Sequence, residues 1–226
     1  MRTLLLCLTG LLIAGCSKKE IKLPILEVPG VHEIQNHSEV WMFLNVKEKD
    51  TSARVNRKNT ISATHWIFNI DKRLPLKTIC DHINELKAKH AGSVHSVEGM
   101  HNYFSYADTL ANQLSLFEFD NITFNTENKQ LKSREVIQEK ESDSTLLNCN
   151  MIFTKNHFYF NEQKYEKGIF ESIFPSLLKN SSLRLYLNFD ENISYQDYLY
   201  YRTWIHHLLP TGSSVHSIEY IIDTKS

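Results

Sequence analysis

Hydrophobic residues follow the same order of strand and helix patterns in two parts of the chain. In the first part, a β-branched and aromatic run at 61–70 predicts a strand, and apolar residues at helical spacing after it predict a helix that ends near Gly92. In the second part, a run at 185–190 precedes a helical stripe and then a strand at 215–222. Each part therefore predicts a strand-helix-strand unit, and the first unit is expected to close with a strand over 92–98.

Two short motifs recur in these units in the same order. An Asn-x-Asp motif ends at Asp71 and again at Asp190, which is an offset of 119 positions. A Val-His-Ser-x-Glu motif contains His95 and, 121 positions later, His216. This recurrence predicts an internal repeat in which Asp71 lies over Asp190 and His95 over His216.

The repeat indicates an α+β fold made of two small two-layer modules, each a β-sheet covered on one face by helices. The repeated segments are 61–99 and 183–222. The predicted organisation is a signal peptide at 1–15, a lipid-anchored tether at 16–37, a first α/β module at 38–126, a polar connector at 127–145 and a second α/β module at 146–226.

Further patterns extend each module. We predict strands at 40–46, 52–56, 116–125, 150–154 and 158–161, a short helix at 106–114, and a helical stripe at 169–178 that Pro175 should kink or break. The last strand, 215–222, is predicted to form a sheet edge with its even-numbered residues towards the core, where a partner strand could pair. A central strand that is paired on both sides is the alternative.

The first residues have the layout of a secretory signal peptide. Arg2 precedes an apolar stretch at 4–13, which is too short to span a bilayer, and small residues precede Cys16. The tetrapeptide Ile-Ala-Gly-Cys at 13–16 resembles the lipobox of bacterial lipoproteins, in which the cysteine receives a diacylglyceryl group and an acyl chain such as palmitate. The resemblance implies a membrane anchor at Cys16, and we expect the outer membrane, with the body facing the periplasm. An ordinary leader with an accidental cysteine is the alternative.

Charge and composition remove several functional classes. The chain has 226 residues, and 25 Lys and Arg against 26 Asp and Glu give a net charge of −1, which excludes a strongly basic surface for nucleic acid. Apolar residues make up 42%, enough for a core, and four cysteines are too few for a disulfide scaffold.

The second module resembles the periplasmic domain of the ExbD/TolR family. The run Asn-Met-Ile-Phe-Thr-Lys-Asn-His-Phe-Tyr-Phe-Asn at 150–161 is similar to the family's opening hairpin. The later strand 185–190 and the Ile-Ser-Tyr at 193–195 place Asp190 and Tyr195 at family positions. Asp71 and Leu76 occupy the corresponding places of the first copy, and Leu76 departs from the family's tyrosine.

The ExbD/TolR resemblance implies a two-layer domain that pairs with itself and contacts envelope proteins or the cell wall. Family members carry a transmembrane helix with an acidic residue for proton coupling. Here a leader without Asp or Glu stands in that place. The resemblance therefore implies a tethered binding module that has been reused without the motor.

Catalytic and metal-binding motifs are not recognisable in the sequence. The histidines His82, His90, His95 and His101 lack metal-site spacing, and His206 and His207 point to different helix faces, so no metal site and no cofactor are predicted. The sequence has no GxSxG elbow and no P-loop, and its His and Asp residues cannot be assembled into a triad from the sequence. Cys80 and Cys149 form either a disulfide or two separate free thiols.

These observations predict a non-enzymatic, lipid-anchored envelope protein that binds a protein partner or peptidoglycan, with a homodimer possible and no nucleic acid. An envelope hydrolase is one alternative, recognisable by a cleft where a histidine meets Ser or Asp at hydrogen-bond distance. A structural subunit of an outer-membrane assembly is the other, and a long exposed apolar face would favour it.

Overall fold

The computed structural model describes residues 20–48, 50–95, 97–127, 146–178 and 182–224, and it has the predicted α+β fold with two mixed β-sheets. The first sheet contains β1 (Ile25–Leu26), β2 (His37–Lys47), β3 (Asp50–Asn56), β4 (His65–Ile70), β5 (Asn102–Asp108) and β6 (Gln113–Glu118). The second contains β7 (Thr123–Asn125), β8 (Leu147–Phe153), β9 (His157–Phe160), β10 (Gln163–Glu166), β11 (Leu183–Asp190), β12 (Ser214–Val215) and β13 (Ile218–Ile222). The α-helices in these ranges are α1 (Cys80–Ala91), α2 (Phe170–Leu177) and α3 (Tyr195–Leu208).

Both sheets are built around the same strand order. The first runs β3-β2-β4-β5, and the second runs β9-β8-β11-β13. In each, an antiparallel hairpin supplies two strands, and a parallel pair is joined by a crossover helix, α1 or α3. This shared order is what a duplication predicts, and the duplication itself stays a prediction.

One hydrophobic core serves both sheets. Helix α3 contacts the first sheet through Tyr195 and Tyr198, whose rings meet Phe104 of β5. The same helix contacts the second sheet, because Tyr201 packs on Phe153 of β8 with ring centroids 4.4 Å apart. The two modules therefore share α3 between them, where the sequence predicted a separate helical layer for each.

The ends of α1 and α3 follow their sequence signals. Ser194 caps α3 by accepting a hydrogen bond from the Asp197 N–H at 3.2 Å, the bond expected of a Ser-x-x-Asp sequence at a helix start. A 3-10 turn at Leu76–Thr78 precedes α1, and Gly92 forms its C-cap. The predicted break at Pro175 is wrong, since α2 continues through it to Leu177 while Phe170 and Phe174 stay buried.

Several strand predictions fail between α1 and β7. The segment 92–98 is a loop in its described part, with Val94 almost fully exposed, and the closing strand is β5, ten residues further on than predicted. The predicted helix at 106–114 is wrong, because the chain there finishes β5, turns and starts β6. The predicted strand 116–125 is divided between β6 in the first sheet and β7 in the second.

The prediction that the last strand is a sheet edge is also wrong. Strand β13 lies between β11 and β7 and pairs in parallel with both. Both of its faces are buried: Tyr220 and Ile222 of the predicted core face are buried, and on the other face Glu219 bonds to α3 and Ile221 belongs to the main core. The partner β7 was predicted as the end of one strand over 116–125, because its three residues carry too little periodicity to mark it as a separate strand.

The segment predicted as a tether, 16–37, packs against the folded body over its described residues, which begin at Glu20. Leu26 and Val28 are buried, β1 pairs with β5, and Tyr106 donates a hydrogen bond to the Val28 carbonyl at 3.0 Å. Cys16 and nearly all of the predicted connector at 127–145 lie outside the described residues. No helix in the described ranges is long and apolar enough to cross a membrane.

Candidate functional site

The loops that follow β4 and β11, called the junction loops below, meet and pair with each other. Pro75 and Ser194 form an isolated antiparallel bridge between them. Four backbone hydrogen bonds flank this bridge: Leu76 N–H to Ile193 O (3.1 Å), Tyr195 N–H to Leu74 O (2.8 Å), Lys77 N–H to Glu191 O (3.0 Å) and Gln196 N–H to Lys72 O (3.0 Å).

The same offset of 119 positions that separates the Asn-x-Asp motifs relates these hydrogen bonds to one another in pairs. Shifting each residue of one bond by 119 positions, forwards from the first loop and backwards from the second, gives the residues of another bond in which donor and acceptor loops are exchanged. Pro75 and Ser194 are themselves 119 positions apart, and each donor in one loop has an equivalent donor in the other. A contact in which equivalent groups exchange roles is the pattern of a two-fold axis. The two modules therefore contact each other at this junction as two copies of one subunit would in a dimer.

The aspartates of the Asn-x-Asp motif hold the two junction loops. Asp71 is fully buried and accepts hydrogen bonds from Arg73 Nε at 2.8 Å and from the Lys22 N–H at 3.3 Å. Burial alone would raise the pKa of Asp71, but the hydrogen bonds from Arg73 and Lys22 outweigh it and hold the pKa below its usual range. Asp190 accepts from the Asn192 N–H at 2.8 Å and from the Thr224 hydroxyl.

Tyr195, the second family-matched residue, lies in the core at the start of α3. Its side chain is fully buried, burial raises the pKa of its hydroxyl, and that hydroxyl has no hydrogen-bond partner in the described residues. Leu76, at the corresponding place of the first copy, is equally buried. Both positions therefore serve packing at the junction.

The second motif does not bring equivalent residues together. His95 lies in the exposed turn after α1, whereas His216 lies between β12 and β13 and stacks on Tyr186 with ring centroids 4.9 Å apart. The registers of the parallel pairs β4–β5 and β11–β13 make His101 the counterpart of His216. The predicted superposition of His95 on His216 is therefore wrong.

A buried ion pair connects α3 to β13. Arg202 Nε donates to Glu219 Oε1 at 2.7 Å, and the Tyr198 hydroxyl donates to Glu219 Oε2 at 2.9 Å. Burial raises the pKa of Glu219, and the nearby Arg202 charge opposes that shift without cancelling it. This pair could not be predicted, because a lone glutamate in a strand resembles a solvent-facing residue.

Both remaining cysteines are free and buried. Cys80 begins α1, and Cys149 lies in β8, where its Sγ accepts a hydrogen bond from Asn161 at 3.6 Å. Burial raises the pKa of both thiols. The structure thus has the two separate thiols of the alternative and no disulfide between Cys80 and Cys149.

A series of hydrogen-bonded polar side chains runs from the interior to the start of β5. His90 is buried, stacks on Trp66 with centroids 4.2 Å apart, and has its ring nitrogens 3.0 Å from Thr64 O and from Asn102 Oδ1. Asn102 in turn donates to Asp120 Oδ1 through its side chain at 2.7 Å and its backbone N–H at 2.9 Å.

At the surface end of this series, His101, Glu118 and Asp120 come together. His101 Nδ1 lies 2.7 Å from Asp120 Oδ2 and 3.6 Å from Glu118 Oε1, and all three ligand atoms lie within 4.8 Å of one another. His101 was among the histidines that lack metal-site spacing in the sequence. Glu118 and Asp120 carry no sequence signal, because their proximity to His101 depends on the β5–β6 pairing.

Two clefts meet at Asp120. One, of about 560 Å³, is lined by Gly30, Phe117, Arg202 and His206 as well as by Asp120. The other, of about 450 Å³, is lined by Lys87, His90 and Asn102 together with Asp120. The His101–Glu118–Asp120 cluster is therefore open to small solutes.

His101 meets Asp120 at hydrogen-bond distance beside a cleft, which is the feature expected of the hydrolase alternative. A hydrolase of the serine or cysteine class also needs a nucleophile beside the histidine. Ser115 Oγ lies 3.0 Å from His32 Nδ1 and donates to Asp108 Oδ2 at 3.1 Å. In a hydrolytic triad the aspartate orients the histidine, whereas here Asp108 accepts from the serine, which is fully buried. In the described chain no hydroxyl or thiol is hydrogen-bonded to His101.

Comparisons of the chain with protein-family models, with curated proteins and with solved structures found no match.

Proposed function

We propose that this protein is a lipid-anchored, non-enzymatic protein of the bacterial cell envelope that binds a protein or cell-wall partner through its two α/β modules. The ExbD/TolR resemblance, the lipid on Cys16 and the outer-membrane location belong to this proposal. An envelope hydrolase and a structural subunit of an outer-membrane assembly remain the alternative functions.

The observation that carries the proposal is the short distance along the chain between the lipobox cysteine and the folded body. Glu20 is four residues after Cys16, and from Lys22 onwards the chain is bonded to the junction loops through Asp71 and Lys72. Four residues extend at most about 14 Å. A lipid on Cys16 would therefore hold the body close to the membrane, with the junction loops on the membrane side.

The open sheet edge that best suits a partner is β3. This seven-residue strand ends the first sheet, and β2 is its partner on one side. Beside it, Arg54 lies over the Phe43 ring at 5.2 Å, and Phe43 stacks near Trp41. Backbone groups of an unpaired edge can accept an added strand, and the aromatic and cationic side chains would add specificity.

Lipidation is tested by replacing each leader-region cysteine in turn. In cells supplied with labelled palmitate, we expect the parent and the Cys7→Ser control to incorporate label and to fractionate with membranes. Cys16→Ser should do neither, because it lacks the thiol that receives lipid. A Cys16→Ser protein that stays in the membrane fraction after a high-salt wash would rule out lipid as the main anchor.

A further inference from the structure

We propose that His101, Glu118 and Asp120 form a binding site for a first-row divalent transition-metal ion such as Zn²⁺. The site is independent of the proposed anchoring and partner binding. It is carried by the convergence of one imidazole nitrogen and two carboxylates at the adjoining ends of β5 and β6.

Strand register explains why these three side chains share one face. Tyr103 pairs with Glu118 in the antiparallel β5–β6 ladder, so His101 and Asp120, two residues beyond on each strand, lie opposite each other. Side chains two residues apart on a strand point to the same side. The same outer face carries His65 of β4, whose ring stacks on His101 with centroids 5.8 Å apart.

The two distances from His101 need only a small adjustment to hold a metal ion. Tetrahedral Zn²⁺ with ligand bonds of about 2.0–2.2 Å separates its ligand atoms by about 3.3–3.6 Å. The His101–Glu118 separation of 3.6 Å already fits, and the His101–Asp120 separation of 2.7 Å must widen by about 0.6 Å. Binding at Nδ1 uses the neutral tautomer of His101 with its proton on Nε2, so a proton that stands on Nδ1 is exchanged through solvent to Nε2 and the contact with Asp120 Oδ2 is replaced by the ion.

Neighbouring groups fix the ligands in a way that leaves the binding atoms available. Both hydrogen bonds from Asn102 go to Asp120 Oδ1, so Oδ2 is left for the ion. The His101 backbone N–H donates to His65 Nδ1 at 3.0 Å, which holds the chain at the start of β5. Such supporting hydrogen bonds orient the ligands of metal sites.

A lysine orders the loop that carries Asp120. Lys87 Nζ donates to the carbonyl oxygens of Phe119 at 3.1 Å, Asp120 at 2.8 Å and Ile122. The side chains of His101 and Asp120 are 41% and 31% exposed, so water can complete the coordination. A mixed imidazole and carboxylate set suits Zn²⁺ and its first-row neighbours better than thiolate-seeking ions.

Zinc titration of the full chain in detergent against a chromophoric chelator tests the proposal. We expect one tight equivalent in the parent. Asp120→Asn and His101→Gln should each weaken the affinity at least about tenfold. Glu118→Gln, at a half-exposed position, should weaken it while leaving the metal-free melting temperature unchanged. The matched control is His157→Gln, which removes another His–Glu pair of 3.1 Å and should leave the affinity as in the parent.

Cobalt substitution identifies the donor atoms directly. The Co²⁺ spectrum should lack a thiolate charge-transfer band, because Cys80 and Cys149 take no part. The proposal is overturned if the parent takes up no zinc in this competition. It is equally overturned if the folded Glu118→Gln variant and the His101→Gln/Asp120→Asn double variant bind as the parent does, or if cobalt reports sulfur ligands.

Discussion

At the scale of single residues, buried charges connect parts of the chain that are distant in sequence. Asp71 holds Lys22, Lys87 holds the loop after β6, and Glu219 holds α3 to β13. Taking a charge out of water costs several kcal/mol, and each of these side chains offsets that cost with hydrogen bonds or an opposite charge. Apart from Arg73, which is two residues from Asp71, these partners are distant in sequence, which is why single-sequence patterns could not identify them.

Removing one partner of the buried pair should therefore destabilise the fold strongly. We expect Arg202→Leu to lower the free energy of unfolding by about 3–5 kcal/mol, because it leaves Glu219 buried without a counter-charge. The double variant Arg202→Leu/Glu219→Leu should recover much of that loss. Urea denaturation of Arg202→Leu, Glu219→Leu and the double variant measures the coupling between the two side chains. Equal losses in Arg202→Leu and in the double variant would contradict this account of the pair.

The same pair gives a pH dependence whose sign follows from the raised pKa of Glu219. The folded pKa lies above the ordinary value of 4.5, so the contribution of Glu219 to stability is greatest below that pH and declines as pH rises through the folded pKa. Without Arg202 the folded pKa rises further. The penalty of Arg202→Leu should therefore be smaller at pH 4 than at pH 7, as urea denaturation at the two pH values will show.

At the scale of elements, the N-terminal segment is part of the fold. Gln196, in the first turn of α3, receives the Ile25 N–H at its Oε1 and donates to the Ile25 carbonyl, both at 2.9 Å. These bonds hold β1 in parallel with β5 and connect it to α3. The segment was predicted as a tether because its prolines and charges resemble a linker, and two buried residues do not form a periodic pattern.

Cutting this connection should loosen β1 alone. We expect Gln196→Ala to speed amide hydrogen exchange at Ile25 and at Ala107, whose N–H bonds to Pro24, and to cost about 1–2 kcal/mol of stability. Gln163→Ala, at an exposed position of β10, is the matched control and should leave exchange at both amides unchanged. No change at Ile25 in Gln196→Ala would show that the side-chain bonds are dispensable.

Elements with clear periodicity or capping chemistry could be predicted from the sequence, and those without it could not. The hairpin of β8 and β9, the stripe of α1 and the Ser194 cap of α3 each follow a local rule. Strand β5 is buried on both faces, so it lacks alternation, and its last residues from Tyr106 onwards were predicted as the start of a helix. The metal-ligand cluster arises from strand pairing, which no local pattern contains.

At the scale of the whole molecule, two sheets of equivalent strand order share one core. Helix α3 packs on both, and the reciprocal bonds between the junction loops join the modules. Modules that share a core unfold together, whereas independent modules unfold in separate steps.

A change in one sheet should therefore affect the other. We expect Phe153→Ala in β8 to cost about 3–5 kcal/mol and to shift the urea midpoints of far-UV circular dichroism and tryptophan fluorescence together. Trp41 and Trp66 report on the first sheet, although the substitution is in the second. Fluorescence that keeps its parental midpoint while circular dichroism shifts would show that the modules unfold separately.

Mass spectrometry of the N-terminal peptide, from the chain expressed in a Gram-negative bacterium, tests the central claim most directly. The account predicts a chain that begins at Cys16 and carries a diacylglyceryl group on its sulfur. A chain that begins at Met1, or one cut elsewhere with Cys16 unmodified, would contradict it.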